Sequence, residues 1–385
     1  MSDRARIAQR GYFMRVFVGA RLFDGERLRS DLALVTKGAA IVALVAHAQR
    51  PVAETLDLGG GVLAPGFVDW QVNGGGGHLF NAAPAPETIA AMAAAHRRFG
   101  TTALAPTLVT DAPVVLTAAL AAGRLPLPGS LGLHIEGPFI DVRRKGAHPP
   151  EHIRTMSDDD VSALIAARVR VVTLAPVAAS LAQVRRLAGA GIVVSLGHAE
   201  ATAEEAHAAF DAGARAATHL FNAMNPLQGR EPGLTGAALE DERVTVGFIA
   251  DGIHVHEISG RLAYRCKGAG RMTLVSDAMP PAAGGPPSFR LAGREARRVG
   301  DRLTLDDGTL AGAAITMHDA VIYAMRRLGA PLEDALRMAT STPARLLGVA
   351  DRHGALKAGA RADLVHLGDD LTLHGVWFGG ERVET

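Results

Sequence analysis

The feature that most constrains this chain is an alternation. Eight short apolar segments recur through its middle, LAPGFVDWQ, TTALAPT, LGLHIEGPF, VRVVTLAP, GIVVSLGH, ARAATHL, VTVGFIADG and MTLVSDAM. Between them lie alanine-rich stretches such as PETIAAMAAAHRRFG, SLAQVRRLAGAG and TAEEAHAAFDAGA. In the first of these, Glu87 follows Pro86 in what reads as a first helical turn, and glycine closes the segment. Strands separated by helices must run parallel with the helices packed outside them, and eight such units predict an α/β fold of the (β/α)8 barrel type. The ends of the chain read differently. RVFVGARLF and LALVTKGAAIVALV, broken by polar turns such as Asp24-Gly25-Glu26, predict small antiparallel strands, and the tail GARADLVHLGDDLTLHGVWFGGERVET has the same texture. Short sheets need a second apolar face, so both ends are expected to meet in one small β domain, residues 1–62 and 349–385, beside a barrel of residues 63–348.

Composition narrows the function. Hydrophobic residues make up 48% of the chain and charged residues 21%, enough apolar material for a full core. Lys+Arg number 40 against 39 Asp+Glu, so no global field favours nucleic acid or an anionic membrane surface, and small-molecule chemistry is the better expectation. The single cysteine, Cys266, excludes an intrachain disulfide and fits a reducing compartment. MSDRARIAQRGYFMRVFVGA lacks the apolar core of a signal peptide, and no unbroken run reaches the roughly 18 apolar residues of a membrane helix. The expected location is the cytoplasm.

In a barrel, side chains at the C-terminal ends of the strands converge. Here those ends carry Gln71, Asn73, Glu136, His198, His219, His254 and Asp277. One carboxylate with two imidazoles supplies three ligands for a divalent transition metal and leaves positions open for water and substrate, the arrangement of a catalytic site. Each residue alone has a plainer reading: His198 as a buried or capping histidine, Asp277 as a helix N-cap, Glu136 as a loop cap. Those readings do not explain why strand after strand ends this way. His254 and His256 alternate, and HxH is itself a ligand spacing. His254 is assigned to the site and His256 to the start of the next helix. His207, His318, His353, His366 and His374 are read as structural.

The motifs LAPGFVDWQVNGGGG, GLHIEGPFI followed by KGAH, SLGHAEAT, ATHLFNAMNPLQGREPGLTGA, FIADGIHVH, LVSDAM and DGTLAG occur in order over nearly the whole chain. Together they resemble the N-acetylglucosamine-6-phosphate deacetylases of the amidohydrolase superfamily. The resemblance implies a (β/α)8 TIM barrel with a small β-sandwich from both termini, a homodimer, and hydrolysis of the N-acetyl group of a sugar phosphate. It implies one divalent metal ion per subunit, zinc first, with iron, manganese or cobalt as alternatives. Many amidohydrolases place HxH after the first strand to hold a second metal; here Gln71 and Asn73 stand there, and amides are weak neutral ligands, so a single ion on Glu136, His198 and His219 is expected, with Gln71 and Asn73 left to a possible second or water-mediated contact.

By the same resemblance Asp277 is the acid/base and His254 polarises the acetyl carbonyl. Arg230 binds the phosphate with help from Asn222 and Ala223, the partner subunit completes that end, and Ala147, His148, Leu310, Ala311 and Gly312 touch the sugar. There is no GxxxxGK[ST] loop for phosphate. His78 in NGGGGHLFN has no assigned role. Three other readings are kept: the galacto epimer as substrate, another amidohydrolase class such as dihydroorotases or D-aminoacylases, and a catalytically silent sugar-phosphate binder. The second class commonly uses HxH with a carboxylated lysine, and the chain supplies no convincing lysine at a strand end for that role, the nearest being Lys145 in a loop. The third would be marked by loss of Asp277 or of a ligand, and none is lost.

Overall fold

A computed structural model describes residues 13–384; residues 1–12 and 385, assigned above to the terminal β domain, lie outside the described residues. Eight parallel strands form one sheet: β1 (Phe67–Val72), β2 (Thr101–Val109), β3 (His134–Glu136), β4 (Val171–Leu174), β5 (Val193–Leu196), β6 (Ala216–Ala217), β7 (Thr245–Ile249) and β8 (Met272–Val275). They neighbour one another in chain order. Helices follow on the outside: α1 (Pro86–Arg97), α2 (Pro113–Ala122), α3 (Asp158–Ala166), α4 (Leu181–Gly189), α5 (Ala203–Asp211), α6 (Gly233–Glu240), α7 (Glu257–Arg271) and α8 (Met317–Tyr323). The predicted barrel is present.

Local sequence sets this alternation. Ser157 with Asp160, Ser180 with Gln183 and Thr202 with Glu205 form reciprocal capping boxes that start α3, α4 and α5. Strand parity then sorts the side chains. Val172 and Leu174 of β4 share the outer core with Val161 and Leu164 of α3 and Val184 and Leu187 of α4, while Val171 joins Val68, Trp70, Ile249 and Val275.

The inward positions also carry a polar layer. His134 Nε2 lies 2.7 Å from Thr173 Oγ1, which lies 2.6 Å from Thr218 Oγ1, itself 2.6 Å from Ser195 Oγ. His134 Nδ1 faces the Trp70 carbonyl oxygen at 3.1 Å and Thr107 Oγ1 at 3.3 Å. All of these side chains are buried. Between β8 and β1 the seam is closed by backbone bonds, the Asp277 N–H to the Gln71 carbonyl at 3.0 Å and the Asn73 N–H to the Ala278 carbonyl at 2.9 Å, and by a side chain: the Asp69 carboxylate accepts from the backbone N–H of Gln71 at 3.2 Å and of Ser276 at 3.3 Å, and from Ser276 Oγ at 2.5 Å.

The structure departs from the sequence expectations in three places. LAPGFVDWQ is two strands: Val62–Pro65 pairs with Leu364–Leu367, and the chain crosses into the barrel at Gly66. A Cβ at Gly66 would sit 2.1 Å from Thr102 Oγ1, so the crossing is too tight for a side chain. Second, the terminal sheets are mixed rather than antiparallel, because Met14–Val18 runs parallel to Glu54–Asp57 and Arg21–Phe23 parallel to Val62–Pro65. One of these sheets has six strands and joins Arg21–Phe23, Leu28–Arg29 and Val62–Pro65 to Leu364–Leu367, Leu373–Phe378 and Glu381–Arg382. Third, an antiparallel sheet of Ser288–Leu291, Arg294–Val299 and Arg302–Leu305 is inserted after β8. Among the described residues, no helix is long and apolar enough to cross a membrane.

Candidate active site

Glu136 ends β3 with its carboxylate buried at the mouth of the barrel. The next residue must be glycine: Gly137 has φ +81°, and a Cβ there would meet Thr110 Oγ1 at 2.1 Å. That is why an apolar run delivers a carboxylate and stops. His198 (φ 48°), His219 (φ 31°) and Asp277 (φ 47°) follow β5, β6 and β8 in left-handed backbone conformations. Non-glycine residues held there cost about 1–3 kcal/mol each and persist only where the surroundings enforce them.

Glu136 Oε1, His198 Nε2 and His219 Nε2 form a triangle with edges of 3.0, 3.1 and 3.3 Å. Ligand atoms about 2.0–2.2 Å from a tetrahedral ion are separated by about 3.3 Å, so these three atoms already have the spacing of one face of a coordination shell. Proton bookkeeping agrees. His198 Nδ1 donates to the Arg144 carbonyl at 2.9 Å, which leaves the neutral ring's lone pair on Nε2, inside the triangle. His219 Nδ1 is buried without a partner.

His148 also brings a ligand atom within 4.8 Å of those of Glu136 and His198. Its Nδ1, however, accepts the Thr110 backbone N–H at 3.3 Å and lies 2.7 Å from Thr110 Oγ1. The neutral ring therefore carries its proton on Nε2, making His148 a donor and leaving His219 the better third ligand. The set fits a divalent cation.

The two amides at the HxH positions face the acids with their nitrogens. Gln71 Nε2 lies 3.1 and 3.2 Å from the Glu136 oxygens and 3.2 Å from Asp277 Oδ1, and Asn73 Nδ2 lies 2.7 Å from Asp277 Oδ1. This is a hydrogen-bonded bridge between two carboxylates. Gln71 Oε1 and Asn73 Oδ1 are buried and unpaired. Both amide donors share Asp277 Oδ1, so Oδ2 is the oxygen left without an amide donor.

Electrostatics separates the two acids. Burial alone would raise Glu136, yet the hydrogen bonds and charges of His198 and His219 hold it well below the carboxylate range. Asp277 is pushed up to about 6 by burial and then by the Glu136 charge. Burial would lower His219, but Glu136 raises it; burial and the neighbouring His198 keep His148 well below the imidazole range.

These groups line a cavity of about 370 Å³. Of the residues expected from sequence, Asn73, Glu136, Ala147, His148, His198, His219, Asn222, Ala223, His254, Asp277, Leu310 and Gly312 form its wall. Three do not. Gln71 is buried behind it, Ala311 turns away to pack with Ala296 and Leu305, and Arg230 lies on an exposed segment outside its own chain's cavity. His78 is exposed on the short hairpin of Gly74–Gly75 and His78–Leu79, away from the wall. His256 caps the N-terminus of α7, accepting from the Ile258 N–H.

Sequence reasoning missed Arg143 and Arg144 in the wall, Thr110 behind His148 and Asp251 behind His254. Only Asp251 carried a signal, an aspartate three residues before the assigned histidine in ADGIHVH.

The amidohydrolase family model matches residues 62–383. The chain is 41% identical over 327 residues to the N-acetylgalactosamine-6-phosphate deacetylase of Shewanella sp. (strain ANA-3), covering 83% of each. It superposes on the N-acetylglucosamine-6-phosphate deacetylase of Pasteurella multocida with a TM-score of 0.93 at 34% identity, covering 97% of this chain and 100% of that one. A substituted form of the Mycobacterium smegmatis N-acetyl-D-glucosamine-6-phosphate deacetylase, solved in complex with N-acetyl-D-glucosamine-6-phosphate, matches at a TM-score of 0.90 and 36% identity, covering 97% and 100%.

Proposed function

The chain belongs to the amidohydrolase family, and on that premise we propose that it hydrolyses the N-acetyl group of N-acetyl-D-glucosamine 6-phosphate, releasing D-glucosamine 6-phosphate and acetate. The observation that carries the reading is the triangle of Glu136, His198 and His219 with the buried Asp277 beside it at the mouth of the barrel. A divalent cation held by those three residues would acidify a water and polarise an amide carbonyl. Asp277 takes a proton from the attacking water through Oδ2 and returns it to the amine nitrogen as the C–N bond breaks. A carboxyl group whose burial favours its protonated form can do both, whereas an ordinary carboxylate is a poor acid. His148 offers its Nε2–H to a sugar oxygen, and His254 faces the carbonyl oxygen on which charge develops.

The finer assignments belong to this proposal. The ion is zinc, one per subunit, with iron, manganese and cobalt as alternatives, and elemental analysis of the purified protein decides among them. The protein works in the cytoplasm as a homodimer, with a barrel of residues 63–348 and a β domain of residues 1–62 and 349–385. Arg230 holds the phosphate bidentately, from the partner subunit, because its own cavity does not reach it.

The identity to an N-acetylgalactosamine-6-phosphate deacetylase favours a second reading, in which the galacto epimer is the substrate. Acetate and free-amine release from the two sugar phosphates, assayed side by side with metal-replete protein, separates them. A preference for the gluco compound upholds the first reading, equal or reversed rates transfer it to the epimer, and no release from either overturns both.

A further inference from the structure

We propose that Asp251 is a positioning residue for His254, fixing which ring nitrogen the histidine presents to the substrate. The inference rests on the deacetylase reading for what the ring does, but not for how it is held. Asp251 follows β7 in the loop DGIHVH, and both side chains are almost wholly buried, 3% and 6% exposed. One carboxylate oxygen shapes the loop: Oδ1 accepts the backbone N–H of Ile253 at 2.8 Å and of His254 at 2.9 Å. The other addresses the ring: Oδ2 lies 2.6 Å from His254 Nδ1. Gly252 makes the turn at φ +74°, and a Cβ there would press on the Tyr323 ring of α8 at 2.9 Å, so the loop is held from outside as well.

A carboxylate accepts and does not donate, so His254 Nδ1 carries a proton and its Nε2 is the nitrogen left for the cavity. With a neutral ring that Nε2 is an acceptor. It donates to a carbonyl oxygen only when the ring holds both protons, and Asp251 would then be its counter-charge. Burial would raise Asp251, but the hydrogen bond and charge of His254 hold it below its ordinary value, so it remains ionised to serve. Asp277 reaches the same ring electrostatically from the end of β8, and Asp251 and Glu257 both act on Tyr323, which packs against the loop. A single residue thus sets the loop and the tautomer of the group facing the reacting carbonyl, the role a third residue plays in orienting a catalytic base.

The test uses the full-length, metal-replete protein. In ¹⁵N-histidine spectra, with His254→Gln to assign the resonance, Nδ1 of the wild-type ring should be of the protonated type. A wild-type ring with a bare Nδ1 overturns the proposal without any change at Asp251. Asp251→Asn keeps an oxygen for the two backbone N–H groups but turns an amide N–H toward the ring, so its Nδ1 should become the bare nitrogen. Loss of an orienting partner of this kind costs about 10- to 100-fold, and kcat should fall by that factor with KM nearly constant. In the His254→Gln background the same substitution should cost nothing further, because the two residues act as a unit. An additive loss, or a variant with unchanged tautomer and kcat, assigns Asp251 to loop shape alone and overturns the proposal. If the wild type releases no acetate, the deacetylase reading fails while the tautomer measurement still judges this one.

Discussion

The barrel holds two polar layers built on the same strands. The lower one, Thr107, His134, Thr173, Ser195 and Thr218, is joined side chain to side chain, and none of its polar atoms is unpaired among the described residues. The upper one lies one to three residues further along, with Glu136 after His134, His219 after Thr218 and His198 after Ser195. It leaves Gln71 Oε1, Asn73 Oδ1 and His219 Nδ1 buried without partners, and puts His198, His219 and Asp277 in left-handed backbone. Titration follows the same division. His134 is pushed down to about 4 by burial and stays neutral, whereas Asp277 is pushed up to about 6 and sits where it can exchange a proton. A satisfied polar layer makes a core specific; an unsatisfied, strained one a step above it is what chemistry requires.

The largest expected difference between the layers is at Asp277. Asp277→Asn should lower kcat by about 10²–10⁴-fold, the worth of positioned acid-base catalysis, with metal content unchanged. The same substitution removes a buried carboxylate facing Glu136. With Asp277 pushed up to about 6, urea unfolding of the metal-free variant at neutral pH should show up to about 3 kcal/mol more stability than wild type. Activity lost together with stability would make Asp277 a structural residue and erase the contrast.

Asp69 belongs to neither layer and joins the strands that close both. Burial pushes it up to about 7, against the lowering by Ser276 and the backbone N–H of Gln71. A carboxyl raised in the folded state binds more protons there than in the unfolded chain, so its stabilising contribution is complete below about pH 4 and is lost as pH rises through about 7. Relative to Asp69→Asn, wild type should therefore lose stability across that window, by at most about 4 kcal/mol, and the gap should be constant at higher pH. A constant gap throughout would mean that Asp69 stays ionised and that the seam is an ordinary hydrogen-bonded turn.

The lower layer is tested by Thr173→Val, which keeps the volume and strips the hydroxyl that joins His134 to Thr218. Two buried groups lose a partner, and stability should fall by about 1–3 kcal/mol in urea while kcat changes little. A large fall in kcat with stability intact would move this residue into the upper layer's company.

The upper layer was more legible in the sequence than the lower one, and the reason is positional. Glu136, His198, His219 and Asp277 each interrupt an apolar run at its C-terminal end, where barrel geometry makes any polar residue conspicuous. His134 and Thr173 lie within runs that read as continuously buried, and threonine is at home in any strand, so nothing marked them as a connected set. Inward parity links His134 to Glu136, two residues apart in LGLHIEG, but parity does not reveal that Thr218 and Ser195 complete the chain of hydroxyls across β4, β5 and β6. The terminal sheets are hard to read from sequence for a related reason. The parallel pairings of Met14–Val18 with Glu54–Asp57 and of Arg21–Phe23 with Val62–Pro65 leave no turn signal between partners. The Asp251 loop is illegible in ADGIHVH because its meaning lies in the closure of a turn, which residue spacing alone does not fix.

The smallest expected effect lies outside both layers, at Arg230. It has no hydrogen bond or ion pair among the described residues. Its neighbour Glu231, the obvious surface partner, spends Oε1 on the backbone N–H of Ala203 and Gly233, each at 2.9 Å. Residues 226–230 are all exposed and none of them lines the cavity. If the segment reaches into a partner's, Arg230→Ala should raise KM for the phosphorylated sugar by about 10-fold, the worth of one charge-assisted contact, and leave both kcat and stability alone. Mixing decides between the two placements. In a heterodimer of Arg230→Ala with Asp277→Asn subunits, an arginine supplied in trans leaves one cavity with both groups, so half the sites should recover the wild-type KM. An arginine acting in cis leaves every active site without it, and KM would stay raised whatever the ratio of subunits.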